Sequence, residues 1–183
     1  AATLSDVDSG GASITLTLTA SAGTFTASSG GGVTVGGSGT GTLTLSGTVA
    51  NIDAFLNTAS NIQYTGALNA NGNNAATISL VANDGGNTGT GGGGNVNLGT
   101  VNVDITPVND VPTLTGLDPA TFNENTVNAA AQIIDSDVTF NDVDGGDLNG
   151  GNLTIVYSAG GGAEDQLLVI AGNGITLSGN EIR

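Results

Sequence analysis

Pairs of aspartates one residue apart are the residues of this chain best suited to do chemistry. Asp6-Val7-Asp8 and Asp142-Val143-Asp144 both stand close ahead of glycines, and Asp147 follows the second pair. A hard cation such as Ca²⁺ takes about six to eight oxygen ligands, and two carboxylates in a curved loop can converge on one ion. In a regular strand they would point to opposite faces, so the glycines matter because they let the backbone turn. The alternative for each pair is a solvated acidic turn.

The first aspartate pair belongs to an internal repeat, which favours calcium over a plain acidic turn. Ala2–Asp8 matches Val138–Asp144 in its order of apolar, polar and acidic residues. Each copy then leads through two glycines into an alternating stretch, Ser13–Thr19 after the first and Leu153–Tyr157 after the second. Because charge, spacing and the following pattern all agree, we interpret the copies as the same turn in two related units.

Further oxygen ligands are expected on either side of the connection between these units. Asn109 and Asp110 stand between two prolines, where the alternative is an Asx turn that caps a strand end. Glu124 follows shortly afterwards and can approach the same ion from the second unit. Asp104 and Asp84 are possible further ligands. Carboxylate and amide oxygens are the donors that calcium sites use.

The charge of the chain supports a cation as ligand and argues against several partners. The formal net charge is −15 at pH 7, and Arg183 is the only basic residue. Ion pairs therefore cannot neutralise the carboxylates, whose mutual repulsion destabilises a compact state. Nucleic acid and anionic membrane surfaces both require Lys/Arg patches, so neither is an expected partner. No apolar run is long enough to insert into a bilayer.

The residue inventory also argues against an enzyme. There is no His, Cys or Lys to activate a Ser or Thr nucleophile. Paired carboxylates can hydrolyse glycosides, but such sites need one carboxyl in a hydrophobic pocket and usually have aromatic sugar platforms. The chain has only two Tyr, four Phe and no Trp, which we interpret as core residues.

Alternation of apolar and polar residues is the dominant pattern and predicts an all-β fold. The short alternating segments are bounded by Gly, Asn, Ser and Asp, as in sandwiches and barrels. One segment differs, because Val49–Asn57 has apolar residues at a spacing that suits about two helical turns. The predicted strands are Ser13–Thr19, Gly41–Ser46, Ala76–Val81, Asn95–Val103, Leu153–Tyr157, Gln166–Ile170 and Gly174–Leu177.

The segment Thr106–Pro112 is the best domain boundary. It holds two of the three prolines, each of which fixes φ and restricts its predecessor, so it reads as a stiff connector. We predict a β-sandwich over residues 1–107, a linker over 108–112 and a second β-sandwich over 113–183. By the phase of the repeat, the first lacks its opening strands and the second its later half. The chain is thus interpreted as a slice through a tandem array.

The residues around this boundary resemble a known family. Val101–Pro112 is similar to the motif that ends bacterial cadherin-like repeats, and Phe122–Asn125 resembles the early Glu motif of the next repeat. Those repeats occur in giant surface proteins and type I-secreted adhesins. The resemblance implies tandem Greek-key (cadherin/immunoglobulin-like) sandwiches, an extracellular location and calcium at the junctions. The calcium-associated positions that it implies are Asp104, Asn109, Asp110, Glu124, Asp142 and Asp144.

Three functions follow as expectations. The first is a calcium-rigidified, rod-like spacer of a bacterial surface or adhesin protein, with neighbouring repeats as partners. The second is a self-assembling subunit of an extracellular filament or sheath, in which copies complement one another with strands, because unfinished units expose strand edges. The third is a module that binds glycans or surfaces, against which the scarcity of aromatic residues weighs.

Overall fold

The chain is mostly β, which confirms the all-β prediction. The computed structural model describes residues 3–86, 93–144, 153–156, 159, 177–178 and 181–182. It divides into two compact units, Ala1–Pro107 and Val108–Arg183. The Greek-key order and the incompleteness of each domain stay predictions. Between the units' strands, residues 106–112 form neither helix nor strand.

The first unit is a sandwich of one large and one small antiparallel sheet. The large sheet has the strand order β3-β4-β1-β6-β7, and β2 pairs with β5 in the small one. The elements are β1 Ser13–Ala20, β2 Thr24–Ala27, β3 Thr34–Gly36, β4 Thr42–Thr48, α1 Val49–Leu56, β5 Ile62–Thr65, β6 Gly72–Asn83 and β7 Val96–Ile105.

The centre of the large sheet follows directly from the alternation in the sequence. Leu16 lies opposite Leu45 and Leu18 opposite Leu43 in the β1–β4 ladder, and all four side chains are buried. The threonines between them point to the other face and are only partly covered. Period-two alternation thus delivers one apolar face to the core. The strand predictions over β1, β4, β6 and β7 are confirmed.

The small sheet and α1 close the core over β1 and β4. Phe25 of β2 is 1% exposed, and its ring lies 5.8 Å from that of Tyr64 on β5, centroid to centroid. Ile52 and Phe55 of α1 are buried against the same cluster. The helix begins after Thr48, whose hydroxyl accepts the N–H of Asn51, as an N-cap residue does. The predicted helix over Val49–Asn57 is confirmed.

Side chains on the core-facing side of the large sheet are not equally buried on all strands. Ile78 and Leu80 of β6 pack partly buried against the core cluster. On the neighbouring strand β7, the side chains of Val96, Leu98 and Val101 remain 58%, 47% and 54% exposed. In the described part of the chain, the small sheet therefore covers the β1–β4 half of the sandwich better than the β7 edge.

The second unit has shorter elements. Strand β8 pairs antiparallel with β9, and β10 with β11. The predicted strand Leu153–Tyr157 is wrong over its described residues, since Leu153 forms only an isolated bridge and 154–156 are not strand. Ile155 and Val156 there are exposed, so nothing described supplies the covered face that an alternating strand needs. The elements are β8 Thr113–Thr115, α2 Glu124–Ala129, β9 Thr139–Asn141, β10 Leu177–Ser178 and β11 Glu181–Ile182.

The two remaining strand predictions concern residues that are largely undescribed. Gln166–Ile170 lies outside the described residues altogether. Of Gly174–Leu177 only Leu177 is described, and it belongs to β10.

Candidate functional site

The first aspartate pair forms a closed turn at the entrance to β1. The Asp6 carboxylate accepts the backbone N–H groups of Asp8 and Ser9, both at 3.2 Å. Gly10 and Gly11 follow with φ of +56° and +84°, a backbone region that favours glycine. The chain is turned back by Ala12, whose N–H donates to the Ser9 carbonyl at 2.8 Å. The predicted glycine-assisted turn is therefore present.

This turn is anchored to the core through the residue that precedes it. Leu4 packs against the hydrophobic cluster, and its N–H donates to the Asp53 carboxylate on α1 at 2.9 Å. Ser9 is buried although it is polar, and its hydroxyl donates to the Asp6 carbonyl at 3.4 Å. A depression of about 500 Å³ lies between the turn and the start of α1. The Asp6 turn is thus held in place by the fold.

Two other carboxylates, those of Asp6 and Asp84, influence the ionisation of Asp8 in this turn. The side-chain hydrogen bond with Asp6 raises the pKa of the Asp8 carboxyl, and partial desolvation, the Asp6 charge and the Asp84 charge raise it further. Asp84 follows directly after β6, and its carboxylate accepts the N–H of Gly86 at 3.0 Å. Like charges held together favour protonation of one of them. A bound cation would relieve the same repulsion.

We predict that Asp8→Asn stabilises the calcium-free first unit at neutral pH. The pKa of Asp8 is raised on folding, so its favourable contribution is complete below the ordinary value of 3.8 and is lost as the pH rises through the folded value. Above that pH the wild type keeps the repulsion that the amide removes. Thermal unfolding in chelator should therefore show a gain for the variant at pH 7 that shrinks on acidification. A gain that is independent of pH would contradict this origin.

The second aspartate pair shares one hydrogen bond with the first. The Asp142 carboxylate accepts the N–H of Asp144 at 3.0 Å, as Asp6 does for Asp8. The first aspartate is half-buried and the second exposed in both copies. Strand β9 leads into this turn and pairs with β8, Thr113 opposite Asn141. That register brings the residues before β8 beside those after β9, and the Asp110 N–H donates to the Asp144 carboxylate.

The other predicted ligands that the structure describes differ in their contacts. The Asn109 side-chain amide donates to the Asp110 carbonyl at 2.9 Å, a local contact that is not the hydrogen bond of an Asx turn. Asp104 accepts the N–H of Asn74 at 2.7 Å, and Asn74 has a φ of +57°, so this carboxylate holds the irregular start of β6. Glu124 is exposed at the first position of α2. Asp147 lies outside the described residues.

Over the described ranges, no three carboxylates converge closely enough to hold a metal ion. Asp6 and Asp142 each accept backbone N–H groups through Oδ1. The arrangement provides two carboxylate pairs, and in each the first aspartate accepts the N–H of the second. Completing a calcium shell of about six to eight oxygens at either turn requires backbone carbonyls, water or further side chains. Calcium binding stays a prediction.

A third acidic loop lies around Asp135. Its carboxylate accepts the N–H of Asp118 at 2.9 Å and that of Asp137 at 3.2 Å, and these hydrogen bonds hold the pKa of Asp135 below its ordinary value. With Ile133 and Ile134, these aspartates line a shallow depression of about 430 Å³. The Asp-x-Asp spacing at 135–137 is its sequence signal. The contacts show a carboxylate that ties two segments of loop together.

Comparison with known proteins did not identify a relative of this chain. No protein-family model, no curated protein and no solved structure matches the chain. The likeness to bacterial cadherin-like repeats therefore rests on the motifs at Val101–Pro112 and Phe122–Asn125. Among the described residues, no helix is both long enough and apolar enough to span a bilayer.

Proposed function

We propose that this chain is a structural spacer, a piece of an extracellular bacterial surface or adhesin protein whose acidic turns bind Ca²⁺. In this proposal it performs no catalysis, and its partners are neighbouring repeats. The motif resemblance supports the extracellular location and the tandem arrangement. The contacts described above support the role of the turns.

The observation that carries the proposal is the duplicated turn. Two sequence copies far apart in the chain share one hydrogen bond between their aspartates, with Asp6 receiving the N–H of Asp8 and Asp142 that of Asp144. In each turn the second aspartate is exposed. A turn needs only one such carboxylate to accept its N–H groups. The second carboxylate in each copy has other partners, since Asp8 shares a side-chain hydrogen bond with Asp6 and Asp144 accepts the N–H of Asp110. In this proposal a cation joins these carboxylates.

Electrostatics favours a cation at the first turn. Asp8 is held close enough to Asp6 and Asp84 for their charges to raise its pKa. The chain has 16 acidic residues and one basic residue, so its own side chains cannot supply the compensating charge. A ligand that binds only the folded state stabilises it by mass action. Calcium at these turns would thus couple binding to the stiffness of the fold.

The architecture suits a spacer better than a catalyst. The core of the first unit is filled by aliphatic and aromatic side chains from both sheets and α1. The depressions beside the Asp6 turn and around Asp135 are lined by carboxylates, small residues and aliphatic side chains, without an activated nucleophile. The connector between the units contains two prolines, which limit its conformational freedom.

We expect Ca²⁺ to raise the unfolding temperature of the chain and chelator to lower it. At a calcium concentration a hundred times the dissociation constant, one site adds about 2.7 kcal/mol to the free energy of unfolding. Scanning calorimetry in chelator, Ca²⁺ and Mg²⁺ measures this directly. Superimposable curves in chelator and in excess Ca²⁺ would refute the proposal.

Single substitutions test whether the calcium-dependent rise in unfolding temperature comes from the two aspartate turns. Asp8→Asn and Asp144→Asn should each reduce the calcium-dependent shift, because each removes a carboxylate from one turn. Asp118→Asn is the matched control, since it removes the same charge from a residue outside both turns. If the control reduced the shift as much as the other two, the effect would come from net charge and not from the turns.

A further inference from the structure

The loop that leads into β6 contains an asparagine followed directly by glycine, the pair Asn71–Gly72. An asparagine side chain can be attacked at Cγ by the backbone nitrogen of the next residue, because the two groups are held close in one chain and close a five-membered ring. A side chain on that next residue crowds the nitrogen, and glycine has none. In the described part of the chain this is the only such pair, and those at 149–150 and 173–174 lie outside it.

The surroundings of the pair leave room for this reaction. Asn71 is exposed, and a Cβ placed on Gly72 would meet nothing within 4 Å. The side-chain amide of Asn71 donates to the Asn69 carbonyl at 3.2 Å. That hydrogen bond joins exposed groups two residues apart, so it can break without a change in either sheet. Water and base therefore reach both the amide and the nitrogen that attacks it.

The backbone around the pair is irregular, which also favours ring closure. The chain must rotate about the bonds of Asn71 for the ring to form, and a regular ladder or helix prevents that rotation. Asn71 precedes β6, and the register with β7 shifts directly after Gly72 pairs with Ile105. Asn69 and Asn74 on either side have left-handed φ of +60° and +57°. The pair thus lies at the edge of the regular ladder.

Three other asparagines of the first unit lack one or more of these features. Asn57 and Asn61 donate their side-chain amides to backbone carbonyls of α1, at 2.8 Å and 3.1 Å, and each precedes a β-branched residue. Asn69 is the closest comparison, because it is exposed in the same loop but precedes alanine. The glycine after Asn71 is what separates these two neighbours.

We propose that Asn71 is a site of spontaneous modification, at which its amide becomes a mixture of aspartate and isoaspartate. The Gly72 nitrogen loses its proton to solvent base and bonds to Asn71 Cγ, and the Cγ–Nδ2 bond breaks as ammonia leaves. Water then opens the ring. Attack at Cγ gives aspartate, and attack at the Asn71 backbone carbonyl carbon gives isoaspartate, whose main chain runs through the side chain. One water is consumed and one ammonia released, so the change needs no oxidant, reductant or cofactor.

The products alter the last contacts between β6 and β7. Each adds one negative charge to a chain whose formal charge is already −15. Isoaspartate also inserts a methylene into the main chain directly before Gly72, which lies opposite Ile105 at the end of β7. Close by, the Asn74 N–H donates to the Asp104 carboxylate at 2.7 Å. Isoaspartate should therefore loosen this end of the ladder, next to the connector, and leave the β1–β4 ladder intact.

The modification goes beyond the spacer function and requires neither calcium nor a partner. Incubation of the whole chain in heavy-oxygen water, followed by peptide mapping with mass spectrometry, tests it. Digestion with pepsin in acid, where ring closure is slow, preserves the products. We expect Asn71 to gain a labelled carboxylate more than an order of magnitude faster than Asn69. The rate should rise from neutral to mildly alkaline pH, because more of the Gly72 nitrogen is then deprotonated.

The chain unfolded in urea supplies the reference rate, and Asn71→Gln supplies the control at the same position. Folded Asn71 should convert within severalfold of its unfolded rate. The glutamine variant should stay unconverted there, because it must close a larger ring. A folded chain that keeps its Asn71 amide while the unfolded chain loses it, or one in which Asn69 converts as fast, overturns the proposal. Either result leaves the calcium-dependent rise in unfolding temperature as it was.

Hydrogen exchange tests the structural consequence. The converted protein, isolated by anion exchange and rich in isoaspartate, is compared with freshly prepared Asn71→Asp, which adds the charge without the methylene. Exchange at Ile105 and its neighbours in β7 should be severalfold faster in the converted protein than in the variant. The β1 and β4 amides should exchange equally in both. Identical exchange at the end of β7 would overturn the predicted loosening.

Discussion

Replacing Phe25 by alanine should cost the first unit about 3–5 kcal/mol, the range for removal of a buried aromatic side chain. Phe25 is 1% exposed and stands among the largest fully buried side chains described. It fills the space between β2 and the large sheet and contacts the ring of Tyr64. Since a whole domain is stable by only about 5–15 kcal/mol, the loss is a large fraction of the total.

Hydrogen exchange of the β1 and β4 amides measures this loss within the first unit alone, because these central strands open with global unfolding. Phe140→Ala is the control, since Phe140 on β9 in the second unit is 40% exposed and fills no comparable core. We expect the control to leave β1 and β4 exchange unchanged. Equal effects of the two variants would mean that Phe25 does not close the sandwich.

The parts of the fold that the sequence predicts are those with long apolar periodicity. Strands β1 and β4 alternate over seven or eight residues, and α1 carries apolar residues at helical spacing. Strands β2 and β5 have four residues each and were not predicted. Their conformation depends on pairing with each other and on packing over the large sheet. Such tertiary contacts decide short strands more than local preference does.

The same distinction applies to the candidate site. The duplicated motif predicts a pair of glycine-assisted turns, and the shared Asp6 and Asp142 hydrogen bonds are consistent with that interpretation. The participation of Asp84 in the electrostatics of Asp8 depends on where β6 ends relative to β1. The expected role of Asp104 at the connector competes with its hydrogen bond to Asn74, which follows from the β6–β7 register. The spacing of residues along the sequence does not predict the β1–β6 and β6–β7 registers on which these contacts depend.

Gly23→Ala should strongly destabilise the turn between β1 and β2. Gly23 has a φ of +82°, which costs a side-chain-bearing residue about 1–2 kcal/mol. A Cβ there would also lie 2.7 Å from Cζ of Tyr64 and closer still to the Thr65 carbonyl. The rigid β5 backbone cannot yield as a flexible side chain could, so overpacking adds about 1–3 kcal/mol.

Gly39→Ala separates these two contributions. Gly39 has a φ of +85°, but a Cβ there would meet nothing within 4 Å. It therefore carries the backbone cost without the overlap. We expect urea unfolding to show a larger loss for Gly23→Ala than for Gly39→Ala, with the excess equal to the steric contribution.

The contact with Tyr64 gives the Gly23 experiment a second readout. The Tyr64 hydroxyl donates to the Ala22 carbonyl at 2.7 Å, so this turn ties β5 to the end of β1 and joins the two sheets. Displacement of the ring by a new Cβ would break that hydrogen bond and disturb the packing against Phe25. Hydrogen exchange in β2 and β5 should accelerate in Gly23→Ala and not in Gly39→Ala. Equal stabilities and exchange rates in the two variants would show that the turn accommodates a Cβ at residue 23 without a steric cost.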